Sequence, residues 1–169
     1  MRHEEVNKLI KRGLDQAKIT ATLEPKGLSR EGDGRRPDSL TLPTWTEGKS
    51  FIWDFTCANT LCESYVKKSS KVACSAAAER EDKKIDKYVN LSDNYHFVPV
   101  GVETYGAFGP QGLKLLKKIT GEKKSTCFLL QSISMAIQRG NAACVMGTAP
   151  ASTGLEGLFD FFVHETEDI

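Results

Sequence analysis

Two acids in this chain sit where carboxylates are seldom placed. Asp38 follows Arg35-Arg36-Pro37 at the start of a predicted strand. Asp54 lies inside Ser50-Phe51-Ile52-Trp53-Asp54-Phe55-Thr56, an otherwise apolar stretch. Isolated carboxylates avoid burial unless they are paired, hydrogen-bonded or bound to a cation. Two of them on adjacent strands suit a hard divalent ion such as Mg²⁺ or Mn²⁺, which takes oxygen ligands. Such an ion polarises a phosphoryl oxygen, lowers the pKa of bound water and neutralises charge developing on phosphate. A nearby lysine adds fixed positive charge or orients the attacking water. The predicted helix over 71–89 ends Lys84-Ile85-Asp86-Lys87-Tyr88 and offers Lys84 and Lys87 for that role. Phosphodiester hydrolysis needs this set. The bland alternative is a small α/β domain whose acids tie down loops and whose lysines are merely solvated.

The elements that must position these groups follow from periodicity. Over 3–17, Val6, Leu9, Ile10, Leu14 and Ala17 recur at helical spacing, with acids in the first turn to suit the helix dipole. A short strand is expected over 19–23, stopped near Pro25, and then a Gly-rich surface loop over 26–36. Strands over 38–43 and 49–57 form a hairpin around 44–48. Phe51, Trp53 and Phe55 face one way along the second strand, and Ile52, Asp54 and Thr56 the other. A short helix or ordered excursion is expected within 58–70. On the next helix Cys74, Ala78, Ile85 and Val89 share a sector expected to face the sheet, beside a second sector of Ala77, Arg80, Lys84, Lys87 and Tyr88.

The stretch 95–102 is apolar on both faces, but Pro99 lacks a donor and points to a sheet edge or a bulge. A basic helix over 111–120 and a longer one over 125–146 come next. The longer one buries Phe128, Leu129, Ile133, Ala136, Ile137, Ala143 and Cys144. Gly147–Gly157 reads as loop, and Leu158–Val163 as an apolar tail able to dock or dimerise. The sum is a mixed α/β domain with a small central sheet.

At 169 residues the chain is expected to be one domain, with a core over about 3–105 and a C-terminal helical extension over 106–169. Lysine plus arginine number 23 against 22 acids, so net charge alone does not advertise a nucleic-acid binder. The charge is uneven, however: 67–87 is rich in Lys/Arg, while 156–167 carries acids without Lys/Arg. Five cysteines without a CxxC pair favour reduced thiols in an intracellular protein, and Cys57, Cys62 and Cys74 lack zinc-site spacing. No apolar run is long enough to span a bilayer. The helical pattern starting at Met1 is read as a module cut from a longer parent chain.

Arg36-Pro37-Asp38, followed sixteen residues on by Asp54, resembles the restriction-endonuclease-like superfamily, whose pattern is Pro-Asp, a spacer, then Asp/Glu-x-Lys. Asp54-Phe55-Thr56 departs from that pattern, because no lysine stands at the third position. The endonuclease domain of site-specific non-LTR retrotransposons is a closer resemblance, since its lysine lies on the next helix ahead of a tyrosine, as Lys84 and Lys87 precede Tyr88. The likeness spans about residues 20–105.

It implies an αβββαβ core with Asp38 and Asp54 as metal ligands for Mg²⁺ or Mn²⁺. Lys84 is then the favoured catalytic lysine and Lys87 the second choice, with Tyr88 anchoring the helix and presenting its hydroxyl. Arg36 would touch phosphate, Glu5 or Glu4 would supply a further metal ligand from the first helix, and Glu103 is a weaker one. Cleavage of double- or single-stranded DNA in the nucleus, by a module attached to a reverse transcriptase, is the implied role. Arg80, Gln131 and Gln138 are expected along the nucleic-acid groove. The competing expectation is a catalytically inactive nucleic-acid-binding or assembly module that keeps the fold.

Overall fold

The computed structural model describes residues 2–28, 36–45 and 47–148. The tail Leu158–Val163, most of the expected loops over 26–36 and 147–157, and the acidic stretch 156–167 lie outside the described residues.

Helix α1 (Arg2–Gln16) leads into strands β1 (Ala21–Leu23), β2 (Ser39–Thr41) and β3 (Phe51–Ala58). Helices α2 (Glu63–Ser69) and α3 (Ser75–Lys87) follow, and a 3₁₀ turn at Val89–Leu91 precedes β4 (His96–Glu103). Helices α4 (Pro110–Thr120) and α5 (Lys123–Thr148) complete the described chain. The sheet order is β1-β2-β3-β4. The first two pairings are antiparallel, and β3 runs parallel to β4 in one register from Phe51↔His96 to Ala58↔Glu103. This is a mixed α/β fold: a small four-stranded sheet flanked by helices.

Phe51, Trp53 and Phe55 pack with Val100 and Val102 on one face of the sheet, against Val6, Ile10 and Leu14 of α1. Helix α4 adds Leu115, Leu116 and Ile119 to the same core, and α5 adds Leu129, Ile133 and Ile137. The two C-terminal helices thus fill the main core instead of decorating it. Phe128, expected inside, is 70% exposed, and Ala143 and Cys144 are exposed as well. α5 rotates Leu129, Ile133 and Ile137 inward, which turns its neighbour Phe128 out.

Pro99 sits in β4, which is an edge strand, so its missing N–H breaks no ladder on that side. Both faces of β4 are nevertheless covered, which explains its continuous apolar run.

Helix α3 lies on the opposite face, and its orientation differs from the expected one. Ile85 and Val89 are 41% and 58% exposed, while Ala77, Glu81 and Tyr88 are buried. The inward stripe is therefore Ala77-Glu81-Lys84-Tyr88. The reason is Glu81, whose carboxylate accepts hydrogen bonds from the amides of Gly101 (3.0 Å), Gln111 (2.9 Å) and Gly112 (2.8 Å). The last two amides belong to the first turn of α4, where N–H groups lack partners inside the helix. A buried acid that ties α3 to β4 and α4 outranks the apolar side chains on the wheel. Gly101 completes the fit, since a Cβ there would stand 2.7 Å from the Ala77 carbonyl oxygen.

Helix α3 starts at Ser75 and not Lys71, because Cys74 takes a left-handed conformation (φ 65°). Glu103, weighed as a metal ligand, instead accepts from the amides of Ala76 (2.9 Å) and Ala77 (3.4 Å) and caps that start.

Candidate metal centre

The site lies where β2 runs out. Ser39 pairs with Trp53, and the Asp38 amide donates to the Trp53 carbonyl (3.1 Å). Beyond that point no strand among the described residues lies beside the β3 edge, and the Asp38 carboxylate takes the next donor, the Phe55 amide, at 2.7 Å. An acid at the mouth of a short strand thus satisfies a backbone group that a residue-for-residue ladder would leave open.

Asp54 sits one residue earlier on β3, its side chain only 4% exposed, and Lys84 reaches its Oδ2 from α3 at 2.5 Å. From the other side α1 delivers His3, whose Nε2 stands 3.0 Å from Asp38 Oδ2 and whose ring meets Phe55 edge-on at 5.6 Å. Asn7, one turn on, contacts His3 Nδ1 at 3.3 Å and accepts from the Trp53 indole at 3.1 Å. That double hold fixes the imidazole. Two acids are therefore flanked by an imidazole from one face of the sheet and an ammonium from the other.

Ligand atoms of His3, Asp38 and Asp54 lie within 4.8 Å of one another. Opposite ligands of an octahedral ion with ~2.1 Å bonds stand about 4.2 Å apart, so a modest closure seats one ion. The donor set, one imidazole and two carboxylates, fits a divalent cation of intermediate hardness. These three residues could hold a metal ion.

The electrostatics separate the two acids. Burial pushes the Asp38 carboxyl up, but hydrogen bonds from His3 and the Phe55 amide outweigh it and hold the group below the usual carboxylate range. Burial and the negative charge of Asp38 raise Asp54, with Lys84 opposing. His3 is raised, chiefly by its hydrogen bond to Asp38 and against its own burial.

A sign follows. His3 gains a proton's partner on folding, so the His3–Asp38 pair stabilises the cation-free fold fully below the ordinary imidazole value of 6.5 and ceases to do so as pH rises through the raised value. A cation must displace that proton. Mn²⁺ affinity is therefore expected to climb by about one log unit per pH unit below the His3 pKa and to level off above it. Calorimetric titration from pH 5.5 to 8.5 checks this, and His3→Ala should flatten the rise.

Other sequence-selected residues fall in several places. Tyr88 is buried, stacks on Phe97 at 4.7 Å between ring centres and donates to the Arg36 carbonyl at 3.0 Å. It ties α3 to the Arg36-Pro37-Asp38 segment. Lys87 is exposed, its ammonium 4.9 Å from the Tyr88 ring centre, and lies outside the acid cluster. The Arg36 guanidinium pairs with Glu24 at 2.6 Å. Arg80 lies over the Tyr65 ring at 5.8 Å, and its Nε is buried without a hydrogen-bond partner.

Glu5 is absent from the cluster and lines a groove between α1 and α5 together with Gln131, and Glu4 pairs with Lys8 at 2.6 Å. The first helix contributes His3 where a glutamate was expected, because the inward stripe runs His3-Asn7-Ile10-Leu14 and Glu5 faces away from it. That stripe was the signal: His3 and Asn7 are the polar members of an otherwise apolar i, i+4, i+7 row. Gln138 reaches the Thr104 carbonyl at 3.5 Å, and Asn141 reaches it at 2.8 Å.

No protein-family model matches the chain, and no curated protein matches it either. The cysteines among the described residues are free thiols, and no helix there is long and apolar enough to cross a membrane.

Proposed function

We propose that this protein is a divalent-metal-dependent endonuclease that hydrolyses phosphodiester bonds of DNA on a restriction-endonuclease-like core. The convergence of Asp38, Asp54 and Lys84 carries the reading: acids from neighbouring strands meet a lysine delivered by the following helix. The element order, one helix, three strands, a helical pair and a strand, agrees with the αβββαβ arrangement that the resemblance implies. The imidazole in the donor set favours Mn²⁺ over Mg²⁺ as the better-held ion.

Bound there, the cation supplies polarisation of a phosphoryl oxygen and a water of lowered pKa. The chain's own residues do the rest. Asp38 and Asp54 fix the position of positive charge against the scissile phosphate. Lys84, held by Asp54 at 2.5 Å, points a preorganised ammonium at charge developing on the phosphoryl oxygens. His3, a little over half exposed, gives up its Nε2 proton on becoming a ligand. Tyr88 positions the Asp38 segment through the Arg36 carbonyl. In keeping with the resemblance, the same proposal puts the module in the nucleus beside a reverse transcriptase domain.

A second reading has an observation in its favour. Both acids are already paired, one with His3 and one with Lys84, and the net charge is only +1. That suits a catalytically silent module that binds nucleic acid or assembles with other chains. Relaxation of supercoiled plasmid in Mn²⁺ separates the two. The nuclease reading expects cleavage that falls by about 10³-fold or more in Asp38→Ala and in Asp54→Ala. Plasmid left intact at all Mn²⁺ concentrations, or cleavage in both variants as fast as in the wild type, sinks it.

A further inference from the structure

A groove of about 610 Å³ runs between α1 and α5 on the side of the molecule where His3 enters the acid cluster. Arg2, Arg12 and Arg139 line it, together with Phe128, Met135 and Gln131, and Glu5 is the acid among its lining residues. Phe128 and Met135 are 70% and 54% exposed, so an aromatic and a thioether stand open to solvent in a groove that three arginines line. Among the described residues Arg12 and Arg139 carry no ion pair, and both are exposed.

Arg2 is built in: its stem lies across Gly140, where any Cβ would overlap it, and its guanidinium donates to Asn141. A second cavity of about 380 Å³ continues the groove past Arg2 and Gly140 to His3 and Phe55. The two cavities adjoin at Arg2 and Gly140, so their linings together reach from Phe128 to His3.

We infer that this groove is the track for one single strand of nucleic acid leading to the acid cluster, with a base on Phe128 and phosphates on Arg12 and Arg139. This rests on the nuclease reading above and narrows its substrate to a strand unpaired on the α1–α5 side of the cut. The chemistry favours that occupant. Every base has a face that stacks on an aromatic ring, and planar guanidinium forks match phosphate oxygens. A duplex, with its bases stacked inside, leaves an exposed phenyl ring unused. Glu5 faces the same phosphates and works against binding.

The test is anisotropy of a fluorescent oligothymidylate with the full chain in EDTA, where metal-dependent cleavage cannot interfere. Phe128→Ala should weaken binding on the order of tenfold, and Phe128→Trp should restore it. The Arg12→Ala/Arg139→Ala pair should lower the slope of log affinity against log salt by about 1.4, given about 0.7 per phosphate contact on a single strand. Glu5→Gln should tighten binding.

Wild-type affinity in the arginine and Phe128 variants overturns the assignment. So does a duplex of the same length that binds as tightly with the same dependence on Phe128. Competition by polyglutamate as strong as that of unlabelled oligothymidylate would instead make the groove a site for an acidic protein. Failure of the nuclease reading registers elsewhere, as plasmid cleavage indifferent to Asp38→Ala, and leaves the EDTA binding data unchanged.

Discussion

Replacing Lys84 by alanine should lower the rate of DNA cleavage about 10²- to 10³-fold at saturating Mn²⁺, while Lys87→Ala should stay within about twofold of wild type. The two lysines are three residues apart on one helix and indistinguishable by composition. Their environments differ. Lys84 is 23% exposed and bonded to a carboxylate that is 4% exposed, whereas Lys87 extends over the outer side of Tyr88. A fixed ammonium in a partly dry site interacts with developing phosphate charge far more strongly than a mobile one in water.

A second readout separates catalysis from collapse of the site. The Lys84 ammonium competes with a cation for Asp54, so Mn²⁺ affinity in Lys84→Ala should hold or tighten while turnover falls. Single-turnover cleavage and Mn²⁺ titration on the same preparation decide the matter. Equal damage from the two substitutions would contradict the assignment.

Glu81→Ala should be the most destabilising single change on α3, costing on the order of 3–5 kcal/mol. Its side chain is buried, with residue exposure of 1%, and it serves three backbone amides from two elements. Each orphaned amide costs about 1–3 kcal/mol, with the sum reduced where the first turn of α4 can shift toward water. Against a typical domain stability of about 5–15 kcal/mol that is a large share. A fall in melting temperature of about 10 °C is expected for a chain of this size.

Glu81→Gln should cost less. Its carbonyl can keep the Gly101 and Gly112 amides that now share Oε1, but its NH₂ then opposes the Gln111 amide. Thermal unfolding of the two variants checks the order. A loss below about 1 kcal/mol in Glu81→Ala would mean that α4 is held by its apolar face alone.

Much of this architecture could be read from periodicity. α1, β3, β4, α4 and α5 stand close to where their apolar spacing places them, because each buries a face that the spacing marks. Asp54 on a strand between Trp53 and Phe55 was legible for the same reason. Errors came where a polar group overrides apolar patterning. Glu81 turns α3 so that Ile85 faces water and Lys84 faces Asp54, and nothing in a hydrophobicity wheel announces a carboxylate that caps another helix. β1 and β2 shrink to three residues each, and the Asp38 side chain takes over where β2 ends. His3 went unrecognised because a histidine near a chain end invites dismissal, although its row with Asn7 and Ile10 was visible.

Direct detection of bound Mn²⁺ by electron paramagnetic resonance, at pH 7.5 and low salt, addresses the central claim without relying on turnover. The wild-type chain should take up the ion, with affinity lowered about tenfold or more in Asp38→Ala and in Asp54→Ala, each shown to be folded by circular dichroism. A wild-type spectrum that shows only free Mn²⁺ at millimolar concentrations, or folded variants that bind as the wild type does, would leave the acids as an ion-paired cluster and remove the metal centre.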